Sequence, residues 1–285
     1  MKRLILIIPL LILAAPPASA GNISDPEQIL TKVDSIIKAD AEKWCRDKGV
    51  SWPPDAVVLR IFKKERELEI WGKNDGQAHM VLLKTLPVCS MDFEPGPKLQ
   101  SGDGKTPEGF YHPAAAYGSR YYWMWMNLDD VDAKGVAGKG SSFKMCTEYP
   151  NALDRARSKS AGFSNPGGEI CIHGNCVTAG CPSFKNRDFL PVFSFSRHHS
   201  SQKYGKLQMH IFPFRFEKTQ DWSGEADNYR HGKTFGKAAL IRFWKNLEQG
   251  YQKFNLNPNP LDVTEGTVSI QDTDGVVSEK GYVFR

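Results

Sequence analysis

At 285 residues, with 40% apolar and 24% charged residues, the chain has ordinary globular composition and the length for one large core or two small ones. Its formal net charge of +5 is too mild to argue for nucleic acid, and no nucleic-acid partner is expected. The chemistry open to its six cysteines depends on the compartment, and the first residues speak to that.

Residues 1–20, MKRLILIIPLLILAAPPASA, carry Lys2 and Arg3, an apolar run from Leu4 to Ala15, and the small-x-small triplet Ala18-Ser19-Ala20. These three parts predict a secretory signal peptide cleaved before Gly21. The run falls short of the roughly 20 residues that span a bilayer, and Pro16 and Pro17 end it. Cleavage leaves glycine rather than cysteine at the new N-terminus, which argues against a lipid anchor there. The expectation is a soluble, exported protein. Losing Lys2 and Arg3 lowers the net charge to +3, compatible with an anionic surface such as a cell wall and equally with plain solubility. In an oxidising compartment six cysteines make three disulfides by count, a reading open for the widely separated Cys45, Cys89 and Cys146.

Residues 21–54 hold one predicted helix, a bracing element. Asp25 suits its N-cap, Pro26 its first turn and Gly49 its end, and Ile29, Val33, Ile36, Ile37 and Trp44 form an apolar face. Strands are predicted over Val57 to Phe62, Glu67 to Trp71 and the HMVLLKTLPVCS run, which favours a β-rich core. EPGPKLQSGDGKTPEGFYHP reads as a loop packed down by Phe110 and Tyr111. Further strands are expected over Glu169 to His173 and Leu207 to Phe212. Between them a short helix precedes His198 and His199, which are expected to be solvated, and His210 is read as a structural histidine. FGKAALIRFWKNLEQGYQKF has an apolar stripe at helical spacing, including Phe235, Ala239, Phe243, Leu247 and Phe254, and should dock on the sheet. From about Asn255 the chain is polar and punctuated, and no regular structure is assigned to it.

CIHGNCVTAGCPSF, residues 171–184, sets Cys171, His173, Cys176 and Cys181 within eleven positions. Three chemistries fit these residue types. Zinc needs four ligands in a tetrahedron, and structural sites draw them from two separated pairs, which one short stretch frames poorly. A Cys176–Cys181 disulfide is sterically possible and leaves His173 without a role. In nucleophilic catalysis, His173 accepts the proton of a cysteine thiol and the ion pair keeps the thiolate available. Gly180 then lets the chain turn tightly, and N–H groups near Gly180 and Cys181 face an oxyanion. Arg155 in PNALDR can bind a substrate carboxylate through its bidentate fork or pair structurally with Asp154.

IHGNCVTAGC resembles the signature of the L,D-transpeptidase (YkuD) catalytic domain, a strand-borne His-Gly followed by Ser/Thr-x-Gly-Cys. GDGKTPEGFY is similar to that family's Thr-Pro-x-Gly loop at Thr106, Pro107 and Gly109, and PNALDR, HIFPFR and FWKNLEQGYQKF resemble its YafK-type branch. The resemblance runs from about Val57 to about Phe254. It implies an α+β fold, a mixed curved β-sheet core with packed helices, with the catalytic domain at 55–217 and a C-terminal helical extension and tail at 218–285. It further implies Cys181 as nucleophile, His173 as general base and later acid, and Thr178 and Gly180 in the oxyanion or substrate-binding loop. No metal and no cofactor are implied. The expected location is the periplasm, the expected process cell wall biogenesis, and the expected partners peptidoglycan stem peptides, with a peptidoglycan-linked lipoprotein as a second candidate.

Departures from the crosslinking members are shared with the YafK-type branch. The segment between His173 and Cys181 is short, Ala179 stands where a second histidine is common, and PSF replaces the Arg or Asn after the nucleophile. The helix following the nucleophile loop is expected to begin near Asp188, with Pro191 in its first turn. Transfer of the acyl group, its hydrolysis, and an inactive wall-binding module all remain open at this point.

Overall fold

The computed structural model describes residues 38–113, 144–174, 176–200, 207–217, 222–229 and 232–285. The expected signal peptide and the first part of the N-terminal helix lie outside the described residues. The remainder of that helix, α1, covers residues 38–47, buries Ala41 and Cys45, and ends as expected at Gly49, whose φ of +70° suits glycine.

The core sheet contains β1 (Ala56–Phe62), β2 (Glu67–Lys73), β3 (Val81–Pro87), β4 (Gly109–Tyr111) and β7 (Leu207–Phe212), in the order β3-β2-β1-β7-β4. The β1/β7 pair is parallel and the other three are antiparallel, so the sheet is mixed. β5 (Lys144–Cys146) and β6 (Cys171–His173) form a separate antiparallel pair. Four of the strands expected from periodicity lie where the alternating pattern puts them, and β6 is the shortened end of the predicted Glu169–His173 run.

Period-two alternation divides the central strands between two cores. Val57, Leu59 and Ile61 of β1 and Met209 and Ile211 of β7 pack with Cys45 of α1 and with Phe189, Val192 and Phe193 of α3 (Asn186–Ser200). Val58 and Phe62 of β1 and Phe212 of β7 pack on the opposite face with Leu240, Phe243, Trp244, Leu247, Tyr251 and Phe254 of α6 (Lys237–Leu256). β1 is buried along its whole length, as a central strand covered on both faces must be. Two short helices, α4 (Trp222–Asp227) and α5 (Gly232–Phe235), precede α6, and α2 (Ala152–Ser160) follows β5 behind an Asn151/Asp154 capping box. Among the described residues no helix is long and apolar enough to cross a membrane.

Three sequence expectations change. The segment after Asn255 is not irregular: β8 (Val263–Asp272) and β9 (Gly275–Phe284), ten residues each, form an antiparallel hairpin turning at Thr273 and Asp274. Its strands are polar because much of both faces stays exposed, but Asn246 of α6 grips the backbone of Tyr282, its Nδ2 donating to the carbonyl at 2.9 Å and its Oδ1 accepting from the N–H at 2.7 Å. α3 begins at Asn186, so Pro191 lies in the second turn, because Phe189 N–H already closes a helical bond on Lys185 O. The same helix runs on to Ser200 and includes His198 and His199 instead of ending before them.

A buried charge joins α6 to the sheet and to the loop between β3 and β4. Glu108, fully buried, accepts from Lys63 Nζ at 3.2 Å, Gly96 N–H at 2.5 Å and Trp244 Nε1 at 2.9 Å. Without Glu108 the buried Lys63 ammonium keeps only Asp92 at 3.3 Å and the carbonyls of Gly96 and Thr106, so Glu108→Ala should destabilise by about 3–5 kcal/mol, whereas Trp244→Phe, losing mainly one hydrogen bond and some area, should cost about 1–3 kcal/mol. Urea denaturation checks the order, and equal midpoints for Glu108→Ala and the parent would contradict it.

Candidate active site

The nucleophile loop is held from beneath by the Thr-Pro-x-Gly loop. Gly180 is buried at φ +126°, and a β-carbon there would lie 2.7 Å from Lys105 O and 3.2 Å from Gly104. Only glycine meets both demands. Thr106 Oγ1 donates to Gly180 O at 2.7 Å and accepts from Asp92 N–H at 3.1 Å, while Lys63 Nζ donates to Thr106 O at 3.2 Å. The loop itself is folded around the Asp103 carboxylate, which accepts from the N–H groups of Leu99, Gln100 and Lys105 and from Lys98 Nζ.

Beyond the nucleophile, the PSF segment serves the frame. His173 N–H donates to Pro182 O, Phe184 N–H donates to His173 O, and the buried Ser183 hydroxyl donates to Ser90 O at 2.9 Å. His173 therefore pairs in parallel with Ser183, which carries Cys181 alongside Cys171. Cys181 Sγ accepts from Cys171 N–H at 3.4 Å and lies 3.6 Å from Glu169 O.

The cysteine pairing eliminates two of the three chemistries. Cys89 is bonded to Cys176 and Cys146 to Cys171, leaving Cys45 and Cys181 as thiols. A Cys176–Cys181 disulfide is therefore not formed. Two of the four candidate zinc ligands are consumed as disulfides, and among the described residues no group of three or more His, Cys, Asp or Glu could hold a metal. The sequence placed Cys89 and Cys146 among possible partners without showing which. The fold supplies the answer by setting Cys146 directly opposite Cys171 across the β5/β6 pair.

The two free thiols differ. Cys45 is buried in α1 and its pKa is pushed up by burial to about 12, so it is inert. Cys181 is partly exposed. Burial raises its pKa too, opposed by the Cys171 N–H, by the Thr178 hydroxyl bonded to the sulfur, and by the charges of Lys144 and Lys98. Thr178 also accepts Gly180 N–H at 3.1 Å. That occupies one of the two N–H groups expected to serve an oxyanion and leaves the N–H of Cys181, for which no partner exists among the described residues.

His173 Nδ1 lies 2.6 Å from Gly174 O. A carbonyl only accepts, so Nδ1 carries the proton and Nε2 keeps a lone pair. Burial lowers the pKa of His173, with Lys144 adding to the effect and the Gly174 contact opposing it. No hydrogen bond joins His173 to Cys181 among the described residues. The resting site thus favours a neutral thiol and a neutral imidazole over the ion pair expected from sequence.

Arg155 is exposed and does not pair with Asp154, whose buried carboxylate binds Arg157 at 2.9 Å instead. Arg155 and Lys159 line an open depression of about 770 Å3 with Pro150, Phe163 and Pro166. Its wall at 162–167 leads within two residues to Glu169, against which the Cys181 sulfur rests. His210 is buried, as expected of a structural histidine, and stacks edge-on against Phe110. Lys144 and Glu169 escape a sequence reading as site residues, and Cys171 enters it only as a candidate metal ligand. Lys144 and Glu169 lie outside the motif, and Cys171 acts on Cys181 through its backbone.

These features define a mixed-sheet protein with one partly exposed thiol, Cys181, in the loop that follows a histidine whose Nε2 keeps its lone pair. The chain is 30% identical over 226 residues to "Putative L,D-transpeptidase YafK" of Escherichia coli K12, covering 78% of this chain and 74% of that one, and equally so to the same protein of strain O157:H7. On that likeness the chain belongs to the YafK-type L,D-transpeptidase family. No family model matches it. Solved structures with a similar course include the helical cell shape determining protein Pgp2 of Campylobacter jejuni (16% identity, 88% of this chain and 95% of that one, TM-score 0.36) and Bd1075 of Bdellovibrio bacteriovorus (15%, 81% and 83%, 0.32).

Because burial raises the Cys181 pKa, its reaction with iodoacetamide should keep accelerating above the pH at which an ordinary thiol saturates. Thr178→Val removes a hydrogen bond to the sulfur and should slow labelling near neutral pH by roughly threefold to tenfold. A rate profile that levels off below the pKa of free cysteine, unchanged in Thr178→Val, would contradict this electrostatic reading.

Proposed function

We propose that the protein is an exported, periplasmic, peptidoglycan-modifying cysteine enzyme, its catalytic domain at 55–217 and its C-terminal extension at 218–285, helical first and ending in the β8–β9 hairpin where a tail was expected. The single observation that carries this reading is the thiol state of Cys181. Four of the other five cysteines are paired and Cys45 is buried, yet the one accessible thiol lies in the loop that follows a histidine with a free Nε2. A wall-binding module has no use for that arrangement.

Cys181 gives its proton to His173 Nε2 as Sγ attacks the amide carbonyl that follows the L-centre of meso-diaminopimelate in a stem peptide. The Cys181 N–H faces the oxyanion, and Thr178 orients the sulfur as its proton leaves. His173 returns the proton to the departing amine, and the thioester then passes to an amine or to water. Arg155 and Lys159 suit the carboxylates in which stem peptides are rich, and the bidentate fork of Arg155 is the stronger of the two.

Hydrolysis is favoured over crosslinking by the openness of the loop. The side chain of Val177 is 75% exposed and Ala179 is exposed, so water and bulky protein-linked substrates both have access. The corresponding hydrolase would release a protein-linked lysine from diaminopimelate, with a peptidoglycan-linked lipoprotein as its substrate.

Cys181→Ser and His173→Ala should each lose nearly all turnover, since a serine alkoxide forms far less readily than a thiolate at neutral pH. Arg155→Gln with Lys159→Gln should raise KM for tetrapeptide muropeptides by roughly tenfold while leaving kcat near the parent value. Mass spectrometry of products from tetrapeptide and lipoprotein-linked muropeptides separates the outcomes. Released tripeptide or freed lipoprotein sustains the hydrolase, crosslinked dimers replace it with a transferase, and no product from either substrate rejects the enzyme.

A further inference from the structure

The nucleophile loop and the β5/β6 pair bring three sulfur atoms together. Cys181 packs against the Cys146–Cys171 disulfide, with its Sγ 3.4 Å from the backbone nitrogen of Cys171. The Cys181 and Cys171 sulfurs rest on the same acceptor, Glu169 O, at 3.6 and 3.4 Å. A sulfur in a disulfide has no hydrogen to donate, so at Cys171 this is a packing contact, and both sulfurs touch the same carbonyl oxygen. The backbones agree. His173 bridges Ser183 in parallel, which sets Cys181 opposite Cys171 two residues earlier on each chain. Neighbouring strands run about 4.8 Å apart, inside the range of about 4.4–6.8 Å that a disulfide spans between α-carbons.

We propose that Cys171 is a covalent partner of Cys181: the Cys181 thiolate attacks Cys171 Sγ, the Cys146–Cys171 bond breaks, and a Cys171–Cys181 disulfide forms. The electron pair of the broken bond leaves on Cys146, which takes up the proton given up by Cys181. One disulfide and one thiol are present before and after, so no oxidant or reductant is consumed. The exchange stores the nucleophile as a disulfide, protected from the irreversible oxidation steps open to a partly exposed thiol in an oxidising compartment. Attack by a small thiol on the same bond is hindered, since Cys146 and Cys171 are each only 3% exposed. Cys181 is already packed against it. The Cys89–Cys176 bond closes the far side of the loop and takes no part. Burial keeps Cys181 largely protonated at neutral pH, which leaves the exchange slow there and faster in alkali.

This exchange does not depend on what the enzyme cleaves, so its test uses no substrate. The full chain is held without oxygen or reductant at about pH 7 or about pH 9, quenched in acid, alkylated and mapped by non-reducing mass spectrometry. The expected result is a Cys171–Cys181 linked peptide with alkylated Cys146, its initial rate rising about tenfold per pH unit while Cys181 remains mostly protonated. The Cys89–Cys176 peptide should stay intact, and Cys181→Ser should abolish Cys146 alkylation. A second variant, Cys146→Ser, leaves Cys171 and Cys181 as thiols. Oxidised glutathione should join them to each other and not leave either as a stable glutathione adduct. Alkylation of Cys181 alone at both pH values would overturn the proposal. So would Cys146 alkylation that persists in Cys181→Ser, a Cys146–Cys181 link with Cys171 alkylated, or stable glutathione adducts in Cys146→Ser.

Discussion

The arrangement of the site depends on one contact, the Thr106 hydroxyl on the carbonyl of Gly180 at 2.7 Å. It joins the loop before β4 to the turn that presents Cys181, two segments far apart in the chain. Gly180 has no side chain and adopts a positive φ because the backbone of Gly104 and Lys105 lies directly against it. A methyl group there would push Cys181 away from Glu169 and Cys171. The contact is itself suspended from the core. Lys63 holds Thr106 O, Glu108 holds Lys63, and Trp244 of α6 holds Glu108. Helix α6 thus reaches the turn that presents Cys181 through a chain of buried polar contacts, and each link is costly to break because its groups have no water to turn to.

That rigidity has an electrostatic consequence. Burial disfavours charge on both Cys181 and His173, and the polar groups around them offset it only in part. Cys171 N–H, the Thr178 hydroxyl and the charges of Lys144 and Lys98 all favour the thiolate form of Cys181. Groups already in place before the charge develops need no reorganisation when it does. The arrangement also suits the proposed exported enzyme, since a resting thiol is less readily oxidised than a resting thiolate.

Much of this was legible in the sequence for identifiable reasons. β1, β2, β3 and β7 followed from alternating and apolar runs, and the α6 stripe from helical periodicity, because in each case the buried face is what the pattern records. His173, Thr178, Gly180 and Cys181 stood out because the chemistry needs those residue types close together. The hairpin after Asn255 was missed because its strands are half exposed and offer no apolar run, although an Asp-Gly step at 274–275 marked the turn. The start of α3 was placed two residues late because Pro191 was read as a first-turn residue. Disulfide connectivity, Lys144 and the Arg157–Asp154 pair were out of reach, since each depends on which segments the fold brings side by side.

The central claim is that Cys181 carries the substrate acyl group as a thioester, and this can be weighed directly. The enzyme is mixed with a tetrapeptide muropeptide or a lipoprotein-linked muropeptide, quenched in acid within the first turnover, and its intact mass is recorded. The account predicts an added mass equal to the acyl part of the substrate, mapped to Cys181, discharged by hydroxylamine and absent from Cys181→Ser. Product formed with the mass of the protein unchanged throughout, or an adduct on any other residue, would contradict it.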